Sequence, residues 1–230
     1  MFKFVLIISV MILSLFANEA LEAFKNKDYD KAFKLYEKSA LKGDTKAQSA
    51  LSYLYANGLG TKKDSTLSLF WLQKAAYGDN SNAQYDLAMK YISGDGVNKD
   101  NNKAFELLTS SSDLNNKNAQ YNLALMYYNG DASDQNISKS AELLEKAAEQ
   151  GHKGAIQNVA RIYMQELKFE KASKWFEVNA KNGDTSAYYF LAEIYCELQS
   201  FEKAKKWALK SIETGNSDAK KLLKKCKLDR

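Results

Sequence analysis

Residues 82–88 read NAQYDLA, and residues 118–124, 36 positions further on, read NAQYNLA. The echo extends along the chain, and the first alanines of successive units are separated by 36, 36, 36, 32 and 32 residues. These alanines are Ala47, Ala83, Ala119, Ala155, Ala187 and Ala219. A fixed period of this length predicts a solenoid, in which each unit buries its apolar face against its neighbours.

Each unit also has an internal pattern, which we count from its first alanine at offset 0. Leucine or valine stands at offset 4, a small residue at offset 5 and tyrosine, such as Tyr127, at offset 8. These offsets share one face of an α-helix, so the tyrosine is predicted to be a packing residue. A second helix follows, as in FEKASKWFEVNAKNG at 169–183. The fold predicted is all-α, a right-handed α-solenoid of helix-turn-helix repeats with about thirteen helices.

The pattern A-x-x-x-L-small-x-x-Y-x-x-G-x-G-V-x-x-D-x-x-K-A resembles the Sel-1-like repeat family, a branch of the tetratricopeptide superfamily. Its second half is carried by Gly94, Gly96, Val97, Asp100, Lys103 and Ala104. The resemblance implies a half unit or cap at 18–46 and three 36-residue repeats over 47–154. Two 32-residue, tetratricopeptide-like repeats over 155–218 and a capping helix at 219–230 would complete a single domain. The residues of the repeat are packing residues, so the resemblance predicts architecture and not a partner.

The first residues have the order of a secretory signal. Lys3 precedes a mostly apolar run at 5–16, and Ala17 provides a small residue for cleavage. Twelve apolar residues are too few to cross a hydrocarbon core of about 30 Å, so 1–17 is predicted to be a signal peptide and no stable membrane insertion is expected. An uncleaved anchor and a buried helix are the alternatives. We expect an exported protein, periplasmic or, as the alternative, secreted.

Composition limits the classes of partner. The formal net charge is +5, with 33 basic and 28 acidic residues interspersed along the chain, so no nucleic-acid partner is expected. Proline is absent, which suits uninterrupted helices. His152 is the single histidine, at a turn between units, so we expect no metal and no cofactor. The oligomeric state is left open.

Catalytic chemistry has little support in the sequence. Some relatives in the family that the chain resembles are linked to β-lactam binding and hydrolysis. Ser-x-x-Lys occurs at 39–42, 200–203 and 217–220, without the accompanying Lys-Thr-Gly or Ser-Asp-Asn. We therefore assign no catalytic residue. Binding or hydrolysis of a β-lactam or peptidoglycan fragment remains an alternative function, and a secreted effector that engages host proteins is another.

Three side chains are candidates for covalent modification. Cys196 and Cys226 lie on helices that should be neighbours, so export would favour a disulfide between them, with two buried thiols as the alternative. Asn136 stands in Asp134-Gln135-Asn136-Ile137-Ser138, which resembles the extended acceptor of bacterial periplasmic N-glycosylation. It is predicted to lie in an exposed insert.

The concave face is the predicted binding surface for a protein or peptide. In tetratricopeptide relatives the first helix of each repeat lines the groove. At the equivalent offsets this chain has a series of aromatic and polar residues, whose tyrosines would form one stripe. The residues of this hypothesis are Tyr85, Asp86, Met89, Tyr121, Asn122, Leu125, Asn158, Arg161, Tyr189, Phe190 and Glu193. Glu145, on a second helix, is predicted to face solvent on the convex side.

Overall fold

A computed structural model describes residues 18–228 of the chain. The predicted signal peptide, 1–17, lies outside these described residues. Within them the chain forms thirteen α-helices and no β-strand. The first, α1, spans 18–25. The others are α2 (Tyr29–Ala40), α3 (Thr45–Asn57), α4 (Ser65–Tyr77), α5 (Ser81–Ser93), α6 (Asn101–Asp113), α7 (Lys117–Asn129), α8 (Ile137–Glu149), α9 (Lys153–Gln165), α10 (Phe169–Lys181), α11 (Ala187–Glu197), α12 (Phe201–Glu213) and α13 (Asp218–Lys225).

Two compact units divide the chain, and the division falls inside α7. Unit 1 ends at Ala119 and unit 2 begins at Gln120. In each unit, consecutive helices pack on one another, as α3 does on α4 and α11 does on α12. The predicted all-α solenoid of helix-turn-helix repeats is therefore confirmed.

The first helix of each repeat buries the face predicted from its offsets. The six alanines at offset 0 are at most 3% exposed, and the leucines and the valine at offset 4 are buried, except for the half-buried Leu223. At offset 8, Tyr91, Tyr163 and Tyr195 are buried, whereas Tyr55 and Tyr127 are half-buried. Tyr127 is therefore a weaker packing residue than its position in the repeat predicts.

Two further positions pack the repeats, and the sequence analysis missed both. Offset 7 is apolar and buried in most first helices, at Leu54, Met126, Ile162 and Ile194. At offset 1, the buried side-chain amides of Gln48 and Gln84 donate to the carbonyls of Ala40 and Ala76, at 3.2 and 3.1 Å. These bonds join α3 and α5 to the end of the preceding repeat. The glutamine repeated in NAQY was the available signal.

One backbone hydrogen bond closes every helix-turn-helix repeat. The N–H of the residue before the second helix donates to the carbonyl of the tyrosine at offset 8. The pairs are Asp64–Tyr55 at 3.0 Å, Asp100–Tyr91 at 3.0 Å, Asn136–Tyr127 at 2.8 Å, Lys168–Tyr163 at 2.9 Å and Ser200–Tyr195 at 2.8 Å. The partners are nine residues apart in the first three repeats and five apart in the last two. The longer turns are thus accommodated without a change in this bond.

The long and short turns differ in backbone conformation and in capping. In the long turns, Gly58 and Gly94 end the first helix in the left-handed conformation, and the carboxylates of Asp64 and Asp100 cap the second. In the short turn at 166–168, the left-handed position is taken by Leu167, with φ of 58°. The N-cap residues of the short turns, Lys168 and Ser200, make no side-chain cap hydrogen bond.

The prediction that Glu145 faces solvent is wrong. Its carboxylate accepts hydrogen bonds from the Tyr163 hydroxyl at 2.6 Å, Lys171 Nζ at 2.9 Å and Trp175 Nε1 at 3.3 Å. Its side chain is 20% exposed. Burial alone would raise the pKa of Glu145, but these three donors outweigh it and lower the pKa. The donors come from α9 and α10, so the periodicity of α8 could not reveal them.

A counterpart of this network lies 32 residues further along the chain. The Tyr195 hydroxyl donates to Glu177 Oε1 at 2.7 Å, and Lys203 Nζ lies 4.9 Å from the centre of the Tyr195 ring. Burial and the neighbouring carboxylate raise the pKa of Tyr195, and the same causes raise that of Tyr163 to about 12. Each short repeat therefore supplies a tyrosine that meets a glutamate from the second helix of the preceding repeat, and a lysine that lies beside this tyrosine.

Candidate functional site

Unit 1 contains a groove of about 650 Å³, formed chiefly by α1, α3 and α5. Its apolar wall includes Leu21 and Phe24 of α1 and Tyr53 of α3. Its polar wall includes Asp86 and Lys90 of α5. The volume lies within the range of about 300–1,000 Å³ that is typical of ligand pockets. We refer to this feature as the unit 1 groove.

Helical periodicity explains why α3 presents these side chains. Its core face carries offsets 0, 4, 7 and 8, so offsets 2, 3 and 6 lie on another face, where Ser49, Ala50 and Tyr53 line the groove. Ser49 and Ala50 are small and leave the groove open. Tyr53 is 54% exposed, and its ring meets the edge of Phe24 with 6.0 Å between centroids. A large aromatic ring is thus held at the groove while remaining accessible.

Asp86 introduces the negative charge of the groove. Its carboxylate is accessible from the groove, but the surrounding protein atoms reduce its hydration and raise its pKa, an effect that the charge of Lys90 opposes. Lys90 Nζ itself binds Asp95 Oδ2 at 2.6 Å. Tyr85 and Met89, the other two candidates of α5, are half-buried and lie outside the lining of the groove.

In unit 2, the ring of Tyr121 packs against the next repeat. It stacks on His152 with 4.3 Å between ring centroids, and its hydroxyl accepts a hydrogen bond from Asn158 Nδ2 at 3.4 Å. A Cβ at Gly154 would meet this ring at 3.1 Å, so the absence of a side chain there permits the contact. Tyr121 therefore contributes to packing between repeats, and its part in the predicted binding surface stays a prediction. His152 caps α9 through Nδ1, which accepts from the N–H of Ala155 at 3.1 Å.

The remaining aromatic candidates of unit 2 also have packing contacts. Phe190 stacks on Phe176 with 4.9 Å between centroids, and the guanidinium carbon of Arg161 lies 5.9 Å from the Phe190 ring centroid. Tyr189 meets the Phe190 ring edge to face, with 5.9 Å between centroids, and also packs in a cluster with Trp207 and Leu222 of α13. The other candidates, Asn122, Leu125 and Glu193, are half-buried. The aromatic candidates of unit 2 thus make packing contacts, and the stripe that they would form stays a prediction.

Cys196 and Cys226 are paired in the structure, with their Cα atoms 6.1 Å apart. The pair joins α11 to the residue that ends α13. Cα atoms at this separation suit a disulfide. Its formation in the native protein stays a prediction, which non-reducing peptide mapping of exported protein tests: two free thiols would contradict it.

Asn136 is exposed and forms the N-cap of α8. Its side-chain oxygen accepts from the N–H of Lys139 at 2.9 Å. The exposure is compatible with modification of the side-chain amide, and glycosylation at this position stays a prediction.

The serines of the three Ser-x-x-Lys matches occupy helix ends. Ser39 is buried near the end of α2, while Ser200 and Ser217 immediately precede α12 and α13. In the described part of the chain, no group of three or more histidine, cysteine or acidic side chains could hold a metal ion. Over 18–228, none of the helices combines the length and apolar character needed to cross a membrane.

Paired helices with a period of 32–36 residues place this chain among the α-solenoid repeat proteins. The Sel1 repeat model matches residues 23–44, 45–80, 81–116, 117–152 and 185–216. The chain belongs to the Sel1-repeat family. One of its two shorter repeats, 185–216, is among these matches, although the sequence analysis had described it as tetratricopeptide-like.

Solved structures give the same fold. A Sel1 repeat protein from Oxalobacter formigenes is 25% identical, with a TM-score of 0.70 over 90% of this chain and 88% of that one. A protective antigen present in uropathogenic Escherichia coli strains is 27% identical, with a TM-score of 0.66 over 83% of this chain. This chain spans only 43% of that antigen's chain. Among curated proteins, none matches.

Proposed function

We propose that this chain is an exported scaffold or adaptor that binds a protein or peptide through the concave face of its first helices. The observation that carries the proposal is the unit 1 groove, which combines accessible aromatic surface with polar groups. Tyrosine provides large contact area at a low cost in conformational entropy. Membership of a repeat family whose units typically present interaction surfaces supports the same reading.

Export rests on the order of charged, apolar and small residues in 1–17. If the segment is a signal peptide, native protein begins near Asn18. Intact mass of the native protein measures this directly, and a mass that retains Met1–Ala17 would contradict export by cleavage.

The binding surface can be tested at Tyr53. Affinity capture from the native envelope with the wild-type protein identifies bound proteins by mass spectrometry. We expect Tyr53→Ala to weaken a captured partner by about 2 kcal/mol or more, as the loss of an aromatic anchor does. Because Tyr53 is exposed, the substitution should leave the helical content unchanged.

Tyr77→Ala is the matched control, since Tyr77 is an exposed tyrosine of α4 that lies outside the lining of the unit 1 groove. It should retain the partner. Equal binding by wild type and Tyr53→Ala would remove the unit 1 groove as the binding surface. Tyr121→Ala is a less clear test because its ring also packs on His152.

A further inference from the structure

Asp86 is unusual among the residues at its position in the repeat. Offset 3 holds Ala50, Asn122, Asn158 and Phe190 in the other full repeats, so α5 alone places a charged side chain there. That side chain lines the unit 1 groove. A general packing role therefore does not explain its charge.

The carboxylate of Asp86 also lacks a direct partner. The Asp86 side chain is exposed at the surface, although nearby protein atoms reduce the hydration of its carboxylate, and within residues 18–228 no protein group donates a hydrogen bond to it. Lys90 is engaged elsewhere, because its Nζ lies 2.6 Å from Asp95 Oδ2. A partly desolvated carboxylate that is not hydrogen-bonded gains free energy when a cation with N–H donors reaches it.

The apolar part of the groove lining suits the rest of such a side chain. Phe24 and Tyr53 meet edge to face, and Leu21 extends the apolar surface along α1. Lysine and arginine bury their aliphatic stems along apolar surface while their charged ends remain polar. Their cations are also attracted to aromatic faces. The lining thus contains apolar surface that fits the stem and a carboxylate that fits the charge.

We propose that the unit 1 groove selects a peptide segment in which one lysine or arginine stands beside an apolar residue. Asp86 receives the cation, and Phe24 and Tyr53 contact the stem and the apolar neighbour. The proposal rests on the proposed function, since it names the partner chemistry of that groove. Charge complementarity gives such a contact specificity more than affinity.

The other charges of the groove limit the number of basic residues. Lys46 and Lys90 also line it, so a second cation in the segment would meet like charge. The preferred segment therefore carries a single basic residue flanked by neutral ones, and a run of basic residues is disfavoured.

Selection of a random peptide library on phage, against the purified native protein, tests this specificity. Wild-type protein should enrich peptides with one lysine or arginine beside an apolar residue. Asp86→Asn should lose that preference, whereas Asp86→Glu, which keeps the charge, should retain it. Asp113→Asn is the control, because Asp113 is an exposed aspartate of α6 in the same unit and lies outside the groove.

Fluorescence anisotropy with the most enriched peptide gives the magnitude. We expect Asp86→Asn, or replacement of the basic residue of the peptide by glutamine, to raise Kd about tenfold. Enriched peptides that lack a basic residue, or that bind Asp86→Asn as tightly as wild type, would overturn the specificity but leave the groove as a binding surface. If no enriched peptide depends on Tyr53, the proposed function itself is contradicted.

Discussion

The repeats of unit 1 and the short repeats of unit 2 close the same helix pair in different ways. Over 45–116 the two bonded residues of each turn are nine positions apart, whereas over 153–216 they are five positions apart. The bond itself is the same in both. The number of residues in the turn can therefore vary while the second helix keeps its position. The closing hydrogen bond and the buried alanines define that position.

The two kinds of repeat differ in what stabilises the turn. In unit 1 an aspartate caps the second helix and a glycine takes the left-handed position, an arrangement with little strain. In the short repeats a non-glycine residue is left-handed and the cap bond is missing, which is unfavourable by about 1–2 kcal/mol for the conformation alone. The Glu145 network, with hydrogen bonds to a charged group worth about 1.5–3 kcal/mol, offsets this deficit.

Loss of the offset 8 tyrosine should have the largest effect, and a larger one in the short repeats. Tyr163 is 1% exposed, whereas Tyr127 is half-buried. We expect Tyr163→Ala to lower the free energy of unfolding by about 3–5 kcal/mol, and Tyr127→Ala to lower it by less. Urea denaturation measures both values. Equal losses would show that the two kinds of repeat depend on this ring to the same extent.

Removal of the Glu145 carboxylate, the shared acceptor of its hydrogen-bond network, should have the second-largest effect on stability. Glu145→Ala leaves the Tyr163 hydroxyl, Lys171 and Trp175 without their shared acceptor. We expect a loss of about 2–3 kcal/mol in the free energy of unfolding. Glu142→Ala, on the same helix, removes an exposed ion pair with Lys139 and should cost less than about 1 kcal/mol.

The effect of Glu145→Ala on stability should also depend on pH. Because the pKa of Glu145 is lowered from its usual value of 4.5, its stabilisation is fully present above that pH and is lost as pH falls through the lowered pKa. The difference in stability between wild type and Glu145→Ala should therefore shrink in acid. A difference that stays constant from pH 7 to pH 3 would exclude an ionic role for Glu145.

Helix capping should distinguish the two kinds of turn by a smaller amount. Asp64→Ala removes an acceptor 2.9 Å from the N–H of Leu67 and should cost about 1 kcal/mol. Ser200→Ala removes a side chain that makes no cap hydrogen bond, so a change of only a few tenths of a kcal/mol is expected. Thermal unfolding followed by circular dichroism compares the two. A larger loss in Ser200→Ala would contradict the difference in capping.

The smallest effect on stability should be a gain, on substitution of Leu167 by glycine. Leu167 is left-handed and 71% exposed, so Leu167→Gly relieves backbone strain and loses little buried surface. Since glycine also costs conformational entropy in folding, we expect a net stabilisation of about 0.5 kcal/mol. The control is Gly58→Ala, which places a side chain at a left-handed glycine and should destabilise the protein. A loss of stability in Leu167→Gly would show that the short turn is not strained.

The repeat register could be predicted from the sequence because it depends on local periodicity. The alanine at offset 0 and the leucine at offset 4 recur at helical spacing, and both are buried as expected. The paired cysteines were also predicted from their positions on neighbouring helices. In each case the spacing along the chain determines which residues share a helix face.

The candidate site was predicted less well, because its residues meet across helices. Asp86 was identified, but Tyr53 and Phe24, which line the same groove, were not. The accessible ring of Tyr53 depends on α1 and α3 together. Likewise, the stack of Tyr121 on His152 depends on the approach of α9 to α7, which Gly154 permits.

The all-α solenoid and the buried face of each first helix could be predicted from the residues alone, because a fixed period and a helical pattern are properties of local order along the chain. Which polar side chains have partners depends instead on contacts between helices. Glu145 acquires three donors from two other helices, whereas Asp86 acquires none from residues 18–228. Both residues lie outside the predicted core face of their helices. Their different roles arise from what the neighbouring helices bring to them, and a single helical pattern does not contain that information.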